Sequence, residues 1–166
     1  MSPSLLAVSL FFHLMATVIW IGGLMVITAL VVPAARRALG DGSIELLRRL
    51  RTRFTPISNL CLVVLFVTGM FQMSADSNYD GLLQFNNSWS VAMLLKHVAT
   101  IGMVVFALVL QYGVVPALER ATLLLERGKG DAAETARLRR REDALMWANI
   151  ALAVVVLACT AYATAV

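Results

Sequence analysis

The sequence predicts an all-α membrane protein: one domain of four transmembrane helices, bundled as two repeated helical hairpins. Three observations predict it. The chain is 60% hydrophobic with a mean hydropathy of +0.80, whereas soluble domains are about half apolar. The apolar residues are gathered into four long runs, and none of these alternates apolar and polar positions as barrel strands do. The cations are segregated as well. Of fourteen Lys and Arg residues, all but Lys96 fall in the two polar stretches that follow the first and third runs.

The first run extends from Leu5 to Val32. No Lys or Arg precedes it, and it far exceeds the roughly 7–15 apolar residues of a signal peptide, so it is expected to be a true span. The polar stretch after it carries Arg36, Arg37, Arg48, Arg49, Arg51 and Arg53. Within "DGSIELLRRLRTRFTPIS", Ile44, Leu47, Leu50 and Phe54 recur at helical spacing among the arginines, which is the pattern of a basic amphipathic helix at a membrane interface. Thr55 and Pro56 read as the N-cap and first residue of the second span, Ile57 to Met73.

The next stretch, "SADSNYDGLLQFNNSWS", has Asp76 and Asp80 and no cation. The third span, Val91 to Val115, leads into Arg120, Arg127, Lys129, Arg137, Arg139, Arg140 and Arg141. There "RGKGDAAE" predicts a glycine stop and then a capping box of Asp131 and Glu134. The fourth span, Ala144 to Val166, is expected to begin as a polar extension and run unbroken into the membrane. By the positive-inside rule the cationic stretches face the cytoplasm, and both termini and the 74–90 loop lie outside. The sequence pI near 9.6 then suits an anionic inner leaflet and requires no nucleic acid. Cys61 and Cys159 are expected at different depths, as packing residues rather than a bridge.

An internal echo supports the hairpin repeat. "VVPAARRA" at 31–38 and "VVPALERA" at 114–121 share six of eight residues at an offset of 83. Two hairpins of the same orientation would be related by a twofold axis along the membrane normal. The same offset places His13 opposite Lys96, next to His97, the second of the two histidines in the chain.

These groups carry the functional expectation, because ionisable side chains inside a bilayer are costly and default to function. His13 lies roughly 12 Å and His97 roughly 9 Å below the outer ends of their spans, at 1.5 Å per residue. Two imidazoles at similar depth suit the two axial positions of a haem b iron, with Lys96 near a propionate or itself the ligand opposite His13. Copper is the competing metal, since Met70, Met73 and Met93 fall in the same outer half and thioether with imidazole suits Cu(I). Met93 and His97 form an i, i+4 pair. Trp20 sits too deep for an interfacial belt, whereas Trp89 sits where a belt residue belongs. Gly22 and Gly23 allow a helix or a flat ligand to approach closely, and Gln72 is placed to donate to a bound group. No catalytic triad, carboxylate pair or nucleotide fingerprint is present, and the spans contain no Asp or Glu for a proton relay.

"FHLMATVIWIGG", "RFTPIS", "TGMFQ" and "LLKH" resemble the copper resistance D (CopD) family of bacterial inner-membrane proteins, over roughly residues 10–110. The fourth span matches only in hydropathy. That resemblance implies copper import from the periplasm. A more distant similarity is to the HemJ-type protoporphyrinogen oxidases, four-helix haem b proteins with a histidine in span one and a lysine in span three, here His13 and Lys96. The glycines after Trp20 depart from that second group, and His97 is an addition to the shared motif. The expectation is therefore an inner-membrane CopD-like protein with one haem b near the periplasmic face. It would pass electrons, as a small subunit among other membrane subunits or with a periplasmic redox or copper protein. Copper import is the alternative, and a purely structural assembly subunit is the third reading.

Overall fold

The computed structural model describes residues 2–75 and 88–165, so most of the acidic 74–90 loop lies outside the described residues. Four helices are long and apolar enough to cross a membrane: α1 (Pro3–Leu39), α2 (Ser43–Ala75), α3 (Ser88–Glu126) and α4 (Ala132–Ala163). At 32 to 39 residues each, they are about 50–60 Å long, well beyond the ~30 Å of a hydrocarbon core. The surplus is the arginine-bearing part of each helix, so the cationic stretches are helical, as their periodicity predicts.

One expectation fails. Thr55 and Pro56 do not open a new helix, because α2 runs unbroken through them with Pro56 inside it. Proline removes one N–H and its ring crowds the carbonyl four residues back, here that of Thr52. The loss falls ahead of the apolar run, among arginines, where water is at hand for the freed carbonyl. Glu45 reinforces this segment, holding Arg48 through two contacts of 2.8 and 2.9 Å and Arg49 at 2.6 Å.

The chain divides into two compact units, Met1–Gln84 and Phe85–Val166, each an antiparallel helical hairpin. In hairpin one, a 3₁₀ turn at Gly40–Gly42 joins α1 to α2. Gly40 takes φ +51, a region open to glycine at little cost, and the Ser43 hydroxyl donates to its carbonyl at 2.6 Å. Gly23 packs against Phe54, so closely that a Cβ on it would stand 2.5 Å from the ring. His13 meets Thr68 and Ser9 meets Gln72, which completes the antiparallel register. In hairpin two, α3 ends in a Schellman turn. Lys129 N–H donates to the Leu124 carbonyl and Gly128 N–H to that of Leu125, both at 2.9 Å, with Gly128 at φ +68. Asp131 then caps α4 by accepting from the Ala133 N–H at 2.8 Å, a bond to the second residue of the helix rather than the third that a capping box uses. Further along, a Cβ on Gly102 would stand 3.1 Å from Leu152 of α4.

The repeat extends well past its eight-residue signature. Ser9, Ala16, Trp20 and Val32 are buried on α1, and their counterparts at the offset of 83, Ala92, Ala99, Met103 and Val115, are buried on α3. The Thr17 hydroxyl donates to the His13 carbonyl at 2.8 Å, and that of Thr100 to the Lys96 carbonyl at 2.8 Å. Each helix also widens into a π-helical turn two residues before its proline, at Ile27–Val31 before Pro33 and at Val109–Val114 before Pro116. Widening the turn moves the carbonyl away from the proline ring. Lys96 is therefore the counterpart of His13 by packing as well as by count.

Candidate metal centre

His13 belongs to the stripe of α1 formed by Ser9, His13, Ala16 and Trp20, whose i, i+4, i+7 and i+11 spacing keeps them on one face. In hairpin one that face meets α2. The His13 Nδ1 lies 2.8 Å from Thr68 Oγ1, and the Thr68 hydroxyl donates to the Val64 carbonyl at 2.6 Å. A hydroxyl has one proton, and here it goes to the carbonyl. Thr68 Oγ1 must then accept from His13 Nδ1–H, the tautomer that in a neutral imidazole puts the lone pair on Nε2. A metal-binding histidine is typically held in this way, with one ring nitrogen donating to a protein acceptor and the other turned to the metal.

Around this pair the helices fit closely. A Cβ on Gly69 would stand 3.5 Å from His13 Cε1, so the ring rests against a bare stretch of α2. One turn outward, the Gln72 side chain donates to the Ser9 carbonyl at 3.3 Å and lies 3.4 Å from the Ser9 hydroxyl. Gln72 thus acts as a clamp between α1 and α2. Trp20 is buried. Gly23 is filled by Phe54, while the position above Gly22 is open, with nothing within 4 Å. Of the methionines on α2, Met73 is buried and Met70 exposed.

In hairpin two, Lys96 and Met93 are half-buried and His97 is exposed on α3. The His97 Nδ1 lies 2.6 Å from the Met93 carbonyl. A carbonyl can only accept, so this Nδ1 also carries a proton. Cys61 and Cys159 are both buried free thiols. Among the described residues, no three His, Cys, Asp or Glu side chains come together.

Thr68, Gly69 and Ser9 were not among the residues the sequence singled out as site residues. A signal for them existed. Ser9 and His13 on α1, and Thr68 and Gln72 on α2, are each polar i, i+4 pairs within otherwise apolar runs. Two such pairs on adjacent antiparallel helices align when both polar faces turn inward.

Comparison with protein families decides the assignment: the family model described as copper resistance protein D matches residues 48–163. The chain belongs to the copper resistance protein D family. The match takes in Thr68, Gly69, Gln72, Lys96 and His97, and it reaches through α4. It extends past the residues 10–110 expected from short motifs to take in the fourth span, and it leaves out residues 10–47. His13 lies on the N-terminal side of the matched segment, so in this member of the copper resistance protein D family its role rests on the geometry. No curated protein and no solved structure matches the chain.

Proposed function

We propose that this inner-membrane member of the family binds a redox metal through Nε2 of His13, and that the metal is the iron of one haem b serving electron transfer near the periplasmic face. The observation that carries the proposal is the His13–Thr68–Val64 relay, which fixes the tautomer of an intramembrane imidazole and orients it against α2. The supply of donors favours haem. The chain has two histidines, and its spans hold no Asp or Glu. Haem fits so sparse a set because the porphyrin occupies four positions on the iron and leaves the protein the axial ones. His97, with its Nδ1–H tied to Met93, is the second imidazole of the set, and the Lys96 ammonium suits a propionate. When bound, haem supplies reversible one-electron chemistry. The residues of the chain hold the imidazole nitrogen in place and keep its surroundings apolar.

Copper handling is the second reading, and the description of the family favours it. Copper would then be cargo, passed along imidazole and the thioethers of Met70, Met73 and Met93. One experiment separates the readings. The protein is purified after expression with ample haem and copper, then examined by absorption spectroscopy and metal analysis. A Soret band that His13→Ala abolishes while the protein stays folded supports haem. Stoichiometric copper without a Soret band supports the cargo reading. Neither metal on a folded protein, or a Soret band unchanged in His13→Ala, overturns the role given to His13.

A further inference from the structure

Most helical threonines in this protein satisfy their hydroxyls locally. Those of Thr17, Thr52, Thr68, Thr100, Thr122 and Thr160 each donate to the carbonyl four residues back. Thr28 does not. It is 4% exposed, and its Oγ1 is buried with no hydrogen-bond partner among the described residues. Thr28 stands in the π-helical turn Ile27–Val31. There the Val32 N–H bonds to the Ile27 carbonyl, five residues back. The next N–H in that register would serve the Thr28 carbonyl, but residue 33 is proline and has none. Both side-chain and main-chain oxygens of one buried residue therefore lack their usual partner, in the cationic half of hairpin one.

We propose that Thr28 holds a bound water molecule. Water can donate to the carbonyl and exchange a hydrogen bond with the hydroxyl, and two to four such partners are what an internal water requires. A hard cation would need six or more oxygen ligands, and two oxygens do not suit one.

Water-edited solid-state NMR of the full chain in lipid bilayers tests this. The expected result is rapid magnetisation transfer from water to the Thr28 side chain, retained in Thr28→Ser and lost in Thr28→Val. Thr28→Val should also lower the thermal midpoint, because the carbonyl loses its donor. Absence of transfer to Thr28 in the unaltered protein overturns the proposal, whether or not the variants fold. A Thr28→Val protein as stable as the parent does so too.

Discussion

At His13, what matters is which ring nitrogen carries the proton, and that is settled by a hydroxyl on another helix. Thr68 accepts from Nδ1 because its own proton is committed to Val64. Thr68→Val keeps the shape of the side chain and removes the acceptor. The variant is expected to lose about 1–3 kcal/mol of stability, from an imidazole N–H left unpaired in a partly buried site, and about 10–100-fold in metal affinity. Thr68→Ser should retain most of both. Thermal unfolding in detergent and titration with haem or copper check the two effects. Equal affinity in Thr68→Val and the parent would remove Thr68 from the site.

At the scale of the helices, hairpin one closes where Phe54 of α2 lies over the bare backbone of Gly23. The same contact explains why an arginine-rich segment carries an aromatic residue at that position. A methyl group at Gly23 would collide with the ring, and such overpacking costs about 1–3 kcal/mol. Gly23→Ala is therefore expected to destabilise hairpin one by that amount. Phe54→Leu in the same chain should recover part of the loss, giving a coupling energy in a double-mutant cycle. Gly22→Ala, with open space above it, should be nearly neutral and serves as the control. Equal effects of Gly22→Ala and Gly23→Ala would mean that the Phe54 contact does not hold the hairpin.

For the whole molecule, sidedness rests on charge, with thirteen of the fourteen cations on two of the three connections between spans. The expected outcome is that a cysteine at Ser77 reacts with a membrane-impermeant thiol reagent added to intact spheroplasts, and that a cysteine at Lys129, an exposed residue of the α3–α4 turn, reacts only after the membrane is opened. Cys61 and Cys159 are buried thiols and should stay silent in both conditions. The reverse labelling pattern would invert the topology and move His13 to the cytoplasmic half.

The sequence by itself determined the class, the four spans, the helical cationic stretches and the hairpin repeat. Each of these is a one-dimensional property: run length, period, charge count and a match at a fixed offset. It also singled out His13, Lys96 and His97, because an ionisable group in an apolar run stands out without any fold. Tertiary structure decided the rest. Local rules place a helix start at Thr55–Pro56, yet α2 continues through it, since one lost hydrogen bond is small beside the 33 residues that the helix orders together. The paired glycines look equivalent in "WIGG", and packing gives them different neighbours because adjacent helical residues point about 100° apart. Thr68 acquires a role only when α2 folds back antiparallel and sets its hydroxyl beside His13. A hydrogen bond between residues 55 positions apart leaves no mark in either local sequence, and that bond fixes how an imidazole sits in a lipid-soluble helix.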